Sequence, residues 1–518
     1  MSQIVAQRPV EVETDGRRGR ALVPVLVFLG MVVSVISSLG APLIPSIAVD
    51  YRVSIGDAQW SLTIALLVGA VTAPILGRLG DGPHRRGVIL SILGLVMLGS
   101  ALAALPLSFG WLLIGRGLQG VGLGLMPLAM TVARDHLPEV RSRGVVAVLS
   151  ITASAGVGLG YPLTGLLADR FGFHAPFWFG VAISGLALGL AAAVLPASSH
   201  LKRRRLDGEG AVLLSVGLIA LLLCLSEGES WGWTSMRLLA VAAGAAVILT
   251  AWVRHELRTA FPLVNLRLMN NRAVLTANAT GLFAGLGMYM LLPLVTRYVQ
   301  APTSTGYGFG ASVLLAGLVL LPFSMASVAA SRLLPVLASR FGRHLVLPLG
   351  SLALVASMLI FLFARSELWQ AFLIMGVAGL GVGLTFAAIP GLIVRSVPGG
   401  ETGSALGVNQ VVRQIGFSVG SALGATILTA HTVAPATLPS SAGYNVSALV
   451  GMALCLFTAV LSFVLPDRHR SPLTVDPAEE QMLVDESVDG AAGGVMLLDT
   501  EPAVRHVPDM PARRPALV

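Results

Sequence analysis

Charged residues are scarce in this chain. Only 12% of its 518 residues are Asp, Glu, Lys or Arg, whereas 55% are apolar; soluble domains carry about 25% charged residues. This composition excludes a soluble globular protein. Apolar stretches of about 20 residues, the length that spans a bilayer as a helix, recur along nearly the whole chain. The alternation typical of a β-barrel is absent, so we predict an all-α membrane protein, because lipid offers backbone amides no partners outside their own helix.

Lysine, cysteine and paired histidines are almost absent too. Lys202 is the only lysine and follows no glycine-rich loop, which excludes ATP hydrolysis through a P-loop. Cys224 and Cys455 lie in apolar stretches, where a thiol behaves as a small apolar group. The histidines show no metal-ligand spacing. We therefore expect no enzyme, no metal site, no ATP and no cofactor.

The apolar stretches predict fourteen transmembrane helices. They cover residues 22–48, 58–79, 87–106, 110–133, 145–168, 175–196, 209–227, 236–254, 273–299, 309–333, 344–364, 369–394, 402–430 and 445–465. We divide the chain into an N-terminal tail (1–20), a six-helix half (21–197), a charged linker with two inserted helices (198–256), a second six-helix half (257–466) and a disordered tail (467–518).

Arginine is concentrated in alternate loops, which predicts the orientation. The loops rich in arginine or lysine carry Arg85 and Arg86; Arg134, Arg141 and Arg143; Lys202 to Arg205; Arg254, Arg258, Arg267 and Arg272; Arg340 and Arg343; and Arg395. Because positive charge is retained on the cytoplasmic side, we expect both termini in the cytoplasm and the protein in the cell membrane. Residues 1–466 carry a net charge of +13, which we expect to lie against anionic lipid and not against nucleic acid.

A charged turn separates the second and third predicted helices. It reads GRLGDGPHRR and holds Gly77, Asp81, Arg85 and Arg86; a second copy, LASRFGRH, holds Arg340 and Arg343 at the same place in the second half. Such duplication is typical of secondary transporters, whose substrate site lies between the repeats. The alternative is that the cluster only anchors the topology.

These residues resemble the major facilitator superfamily, and within it the fourteen-helix drug:proton antiporter branch, over residues 20–466. The turn matches the family's Gly-x-Leu-x-Asp-Arg-x-Gly-Arg-Arg pattern except at Gly82 and His84. The resemblance implies the major facilitator fold and a gating role for this turn. Three further family elements are matched. Arg116 and Gln119 match Arg-x-x-Gln-Gly, and Gly156, Gly160, Pro162 and Gly165 match the antiporter motif of helix 5. The stretch from Leu206 to Trp233 resembles the family's linker and first inserted helix.

The helix-5 glycines and Arg116 also have a purely structural interpretation. Gly156 and Gly160 lie one turn apart, and small residues at that spacing also serve ordinary helix packing. Arg116 follows Trp111 closely and could reach the outer surface by extending its side chain. A cavity role for Arg116 and Gln119 is therefore one of two expectations.

Arg413 is the most informative charge, because an arginine inside the hydrocarbon is costly and marks a functional site by default. It follows Thr402 by eleven residues, which places it about 16 Å deep. Helical spacing pairs Asn409 with Arg413 and Gln410 with Gln414, so we expect one polar band lining the transport cavity. The alternative is that Arg413 caps carbonyls of a neighbouring broken helix. Met288, Tyr289 and Met290 are candidate cavity walls.

No Asp or Glu lies near the middle of any predicted span, and Ile36 stands where the family commonly has an aspartate. Proton coupling, with the proton gradient as energy source, is therefore implied by the resemblance alone. We expect an exporter of small amphipathic or hydrophobic compounds, such as drugs and antibiotics, working by alternating access and proton antiport. The alternatives are transport of one metabolite or lipid without protons and, less favoured, a non-transporting membrane receptor.

Overall fold

The computed structural model describes residues 16–40, 43–196, 207–259, 261–269, 271–398, 401–432 and 438–464. Most of the predicted N-terminal tail, the linker at 197–206 and the whole C-terminal tail lie outside the described residues. Helix α1 begins at Gly16, so the first helix takes in the last five residues of the predicted tail.

Helices make up nearly all of the described chain. The first half contains α1 (Gly16–Ser38), α2 (Ile44–Tyr51), α3 (Ile55–Gly80), α4 (Arg85–Ala104), α5 (Phe109–Gly120), α6 (Leu125–His136), α7 (Glu139–Phe171) and α8 (Ala175–Val194). The inserted pair is α9 (Gly208–Trp231) and α10 (Met236–Arg258). The second half contains α11 (Leu266–Met269), α12 (Arg272–Gln300), α13 (Val313–Leu318), α14 (Leu321–Phe341), α15 (Val346–Phe363), α16 (Leu368–Ser396), α17 (Thr402–Ala430) and α18 (Ser441–Val464).

Twelve helices of the described chain are long and apolar enough to cross a membrane, and a bent pair makes a thirteenth. The 33-residue α7 occupies the place of the predicted fifth span. The helices therefore follow the order of the fourteen predicted spans, and the all-α membrane fold is confirmed.

Three spans predicted as continuous, the first, the fourth and the tenth, are interrupted. The first ends at Ser38, shortly after which Gly40 precedes an Ala-Pro pair, and α2 resumes at Ile44. The fourth passes through a 3-10 turn at Val121–Gly124, where glycines weaken the α-helix.

The tenth predicted span, 309–333, is wrong at both its ends and its course. It runs from Val313 to Phe341 and bends by 53° between the segments Leu314–Ala330 and Arg332–Phe341. Pro335 lies four residues past Ser331 and removes the backbone bond to that carbonyl, which explains the bend.

The helix ends form two opposite faces of the molecule. Turns at residues 81–84, 137–138 and 342–345, together with residues 397–398 and 401, lie on one face, which we call the arginine-rich end. Helices α4, α7, α15 and α17 start there. We call the other face the opposite end.

The two halves pack crosswise. Helix α3 packs along α17, and α7 packs along α13, α14 and α16. Because α3 corresponds to α13–α14 and α7 to α17 in the duplicated sequence, the two contacts are equivalent. The inserted α9 packs against both α3 and α17, and so covers one of these two contacts from outside.

Candidate functional site

Asp81 joins the two halves at the arginine-rich end. Its carboxylate accepts hydrogen bonds from the backbone N–H groups of Gly403, at 2.9 Å, and Ser404, at 3.1 Å. These N–H groups belong to the first turn of α17, where amides lack partners inside the helix and the helix dipole favours a negative charge. The side chain that follows α3 thus caps a helix of the other half.

Close backbone packing and an ion pair support this cap. A Cβ atom at Gly77 would lie 2.4 Å from the carbonyl oxygen of Gly403, so only glycine fits where α3 crosses α17. The next residue, Arg78, donates to Glu401 at 2.8 Å. On a neighbouring helix, Arg134 donates to the carbonyl of Val397 at 3.5 Å. The arginine-rich end is closed by these contacts between the halves.

Arg85 and Arg86 act within the first half. Arg85 is buried and donates to Asp135 at 2.7 Å and to the carbonyl of Gly80, which fixes the turn that carries Asp81. Arg86 donates to the carbonyl of Ala192 at 2.6 Å. Of the predicted gating residues, Gly77 and Asp81 therefore span the halves, whereas Arg85 and Arg86 position the turn.

The second copy of the turn lacks this cap. Ser339 stands in the place of Asp81, is exposed and donates to the carbonyl of Val336 on its own helix. Arg340 is exposed, and the side chain of Arg343 lies outside the described residues. The duplication seen in the sequence thus carries over to the fold but not to the charge contact.

Burial changes the acidity of Asp81. The side chain is only 3% exposed, and this burial raises the pKa of its carboxyl group to about 7, against the opposing effect of the two amide donors and of Arg85 and Arg78. A carboxyl group that titrates near neutrality thus lies at the contact between the halves.

The predicted polar band is present on α17, with different pairs. Arg413 donates to Gln410, and Asn409 donates to Asn278 of α12 at 2.9 Å. The i, i+4 spacing of Asn409 with Arg413 and of Gln410 with Gln414 holds on the continuous helix α17, and these hydrogen bonds join other partners. The guanidinium carbon of Arg413 lies 4.8 Å from the ring centre of Phe386. Within the described residues, the Nε atom of Arg413 has no hydrogen-bond partner.

Two cavities flank this band. Asn409, Gln410 and Arg413 line a small one of about 10 Å³ on the side of the arginine-rich end. Gln414 lines a larger one of about 190 Å³ on the side of the opposite end. The four predicted cavity residues of α17 therefore separate the closed end from an open space.

Arg116 and Gln119 form a brace inside the first half. Arg116 is fully buried and donates to the carbonyls of Ser61, Ile36 and Ser37 and to Gln119, with distances of 2.5 to 3.3 Å. These bonds hold the end of α1 where that helix breaks. The reading in which Arg116 reaches the outer surface is wrong, and neither residue lines any of the described cavities.

The glycine motif of α7 faces two helices. Cβ atoms at Gly156 and Gly160 would lie 2.1 and 1.8 Å from side-chain atoms of Ser34 and Ser38, so α1 packs directly on the α7 backbone. Further along α7, Pro162 approaches Gly317 of α13, and Gly165 approaches Leu314. One motif thus contacts both halves.

Sequence comparison decides the family. The profile described as Major Facilitator Superfamily matches residues 26–421 and matches again over residues 277–511. The chain belongs to the Major Facilitator Superfamily. Its relatives and this family are membrane transporters, so the chain transports a small molecule and is not an enzyme.

The chain is similar to several members of this superfamily. Multidrug resistance protein Stp of Mycobacterium tuberculosis is 28% identical over 390 residues, or 75% of this chain and 72% of that protein. The tetracenomycin C resistance and export protein of Streptomyces glaucescens is 28% identical over 422 residues, or 79% and 76% of the two chains. The crystal structure of the human organic anion transporter MFSD10 has the same fold, with a TM-score of 0.61 at 19% identity, covering 87% of this chain and 100% of that one.

Sequence reasoning missed three residues that lie at the candidate site. Glu401 and Asn278 are single polar residues with no motif around them, and Trp233 lies in the loop after α9. Of the three candidate wall residues, Tyr289 lines the larger cavity, whereas Met288 and Met290 are buried elsewhere. The only local signal was Glu401 directly before the start of α17, a position where carboxylates are common.

Proposed function

We propose that this protein exports small amphipathic or hydrophobic compounds, including drugs, from the cytoplasm by alternating access coupled to proton antiport. The observation that carries the proposal is the asymmetric closure of the two halves. Asp81, Gly77 and Arg78 close the arginine-rich end, while the larger cavity lies beyond Arg413.

The arginine distribution gives this closure a direction. If the arginine-rich end faces the cytoplasm, as the positive-inside rule requires, then both termini are cytoplasmic and the structure has the cavity on the outer side. This is the state that follows substrate release in an exporter. Breaking the contacts of Asp81 would open the cytoplasmic side instead, because a ligand or charge change can only shift the populations of the two states.

The relatives support a drug substrate. Two of them are a multidrug resistance protein and a tetracenomycin C resistance and export protein. The energy source that we propose is the proton gradient, with no cofactor and no ATP, and it is supported by the helix-5 motif from Gly156 to Gly165, which resembles that of proton antiporters. Membrane lipid is the expected surrounding partner.

A second candidate is transport of a single metabolite or lipid without protons. It is favoured by one observation: in the described spans, buried Arg116 and Arg413 lie deep in the membrane, whereas the described acidic residues lie at or near helix ends. A proton carrier near the middle of the membrane would ordinarily be a carboxylate.

Purified protein in liposomes tests the proposal. A pH gradient is imposed, and a panel of cationic and anionic dyes, antibiotics and lipids is added while a pH-sensitive dye reports proton flux. We expect substrate-dependent proton movement with at least one compound, absent from empty liposomes. Substrate flux that does not respond to the gradient would favour the uncoupled candidate, and no flux with any compound would contradict export.

A further inference from the structure

The larger cavity has aromatic walls. It lies between α3, α9, α12 and α17 and has a volume of about 190 Å³. Trp233, Tyr289 and Phe417 contribute rings to it, and the rings of Tyr289 and Phe417 stack with their centres 4.3 Å apart. Flat apolar surfaces of this kind bind aromatic ligands by stacking and by burial of apolar area.

The same cavity offers hydrogen-bond donors. Gln414 is only 3% exposed, and among the described residues its Nε2 group has no partner. A buried donor without a partner costs free energy, so a ligand acceptor at this place would be stabilised. Arg297 is exposed and lies at the rim of the cavity, near the opposite end.

The charge balance of the cavity disfavours cations. Among the described residues that line it, none is acidic and one, Arg297, is basic. The nearby Glu227 is outside the lining and accepts a hydrogen bond from Ser230 on its own helix. Arg413, one residue before Gln414, adds a second positive charge behind the wall.

The inserted helix closes the outer wall. Leu222, Leu225 and Ser226 of α9 line the cavity, and Ser226 lies 3.4 Å from the hydroxyl of Thr63 on α3. Trp233, in the loop after α9, donates from its indole to Thr426 of α17 at 2.9 Å. Helix α9 therefore bridges the two halves beside the cavity, so a ligand there contacts the insertion as well as both six-helix halves.

We propose that this cavity binds flat aromatic substrates that carry hydrogen-bond acceptors and are neutral or anionic, and that α9 forms part of the binding wall. Gln414 supplies the donor, Arg297 the positive charge, and Trp233, Tyr289 and Phe417 the stacking surfaces. This inference rests on the proposed export function and names its substrate class.

A matched pair of dyes tests the substrate class. Fluorescein and rhodamine 6G share a flat three-ring framework, but fluorescein is an anion at neutral pH and rhodamine 6G is a cation. The full-length protein in liposomes is assayed with each dye under the same imposed gradient. We expect transport of fluorescein to exceed transport of rhodamine 6G by at least about tenfold, the scale of one charge-assisted hydrogen bond.

Three variants and one control variant test whether this selectivity comes from the cavity. Gln414→Leu should lower fluorescein transport about tenfold through loss of the donor, and Ser226→Trp should lower it by filling the space from α9. Val216→Trp is the matched control, because Val216 is exposed on the same helix and outside the cavity lining. Gln414→Glu should lower fluorescein transport and raise rhodamine 6G transport, which is a gain that a misfolded variant cannot show.

The outcomes separate this inference from the export function. Transport of rhodamine 6G in preference to fluorescein would overturn the substrate class while leaving export in place. Fluorescein transport that is unchanged in Gln414→Leu and Ser226→Trp would overturn the assignment to this cavity. No transport of either dye or of any compound in the panel, by protein that is inserted and monodisperse, would overturn the export function itself.

Discussion

In the described chain, two buried arginines lie away from the ends of their membrane spans, and their surroundings differ. Arg116 donates to three backbone carbonyls and to Gln119, so its hydrogen bonds are used within the first half. Arg413 donates to Gln410, faces the ring of Phe386 and keeps an Nε group without a described partner. We therefore expect the first arginine to stabilise the fold and the second to interact with a substrate or with a moving helix.

Replacing Arg413 by alanine should abolish transport while the protein still inserts and stays monodisperse in detergent. Arg413→Lys should retain partial activity, because lysine keeps the charge and loses the planar fork. The measurement is dye or drug flux in liposomes at matched protein content, with size-exclusion chromatography of each variant.

Arg116 gives the contrast for this experiment. Arg116→Ala leaves the carbonyls at the end of α1 without their donor, and we expect it to lower the free energy of unfolding by at least about 2 kcal/mol. If Arg413→Ala transports normally, or is lost only through misfolding as Arg116→Ala is expected to be, Arg413 is structural.

The position of Arg413 along its helix was predictable, whereas its partners were not. The predicted span 402–430 coincides with α17, which places Arg413 eleven residues from the start of the helix. Its neighbour Phe386 comes from another helix, and the partner of Asn409 is Asn278, 131 positions away. Helical spacing within one segment carries no information about which helix lies alongside, so these hydrogen-bond partners were not predictable.

At the scale of elements, the contact between α3 and α17 depends on one carboxylate. Asp81→Asn should impair transport about tenfold or more with near-normal expression, because the amide nitrogen of Asn would face one of the two backbone N–H groups as donor against donor. Ser339→Ala, at the equivalent position of the second half, is the matched control and should transport normally. Equal activity of Asp81→Asn and the native protein would return the turn to a topology anchor.

The ratio of closed to open protein at this contact should also depend on pH. With the pKa of Asp81 at about 7 in the closed state and near its ordinary value when the gate opens to water, the closed state binds the proton more tightly. A protonated carboxyl group keeps lone pairs on both oxygens that accept from the two backbone N–H groups, whereas the amide nitrogen of Asn has none. Acidification from about pH 8 to about pH 6 should therefore raise the ratio of closed to open protein by up to about tenfold, and this gain is lost as the pH rises above 7. The rate of labelling of a cysteine at position 404 measures the gate, and Asp81→Asn should remove the pH dependence.

The two faces of α7 should respond differently to a single methyl group. Gly156→Ala and Gly160→Ala place a Cβ within 2.1 Å of α1 atoms, whereas at Gly165 the nearest atom lies 3.8 Å away. We expect the first two variants to lower the unfolding temperature in detergent and to reduce transport, and Gly165→Ala to behave as the native protein. Equal stability of all three variants would show that α1 does not pack on α7 in this way.

Helix breaks were the elements that hydropathy missed. The interruptions after Ser38, at Val121–Gly124 and after Leu318 lie inside uninterrupted apolar stretches. Hydropathy measures transfer of side chains into lipid, and glycine and proline change that transfer little while changing the backbone strongly. The Gly-Ala-Pro and Gly-Val-Gly-Leu-Gly sequences, and Pro322 at the start of α14, were the signals that could have shown them.

At the scale of the whole molecule, the duplication of the turn predicted two related halves, and the crosswise packing of α3 on α17 and of α7 on α14 agrees with it. The place of the inserted pair was not predictable, because α9 contacts α3 and α17 through single residues such as Ser226 and Trp233. The insertion therefore became part of the candidate site only through the structure.

Reciprocal opening of the two ends is the central claim, and distances between spin labels test it most directly. With Cys224 and Cys455 replaced by alanine, one label pair is placed at His84 and Ser339 on the arginine-rich end, and another at Ser108 and Ser366 on the opposite end; all four residues are exposed. In liposomes, the pair at the arginine-rich end should show mainly one short distance. Asp81→Asn should add a longer distance there and a shorter one at the opposite end. Identical distance distributions in native and Asp81→Asn protein at both ends would contradict the account.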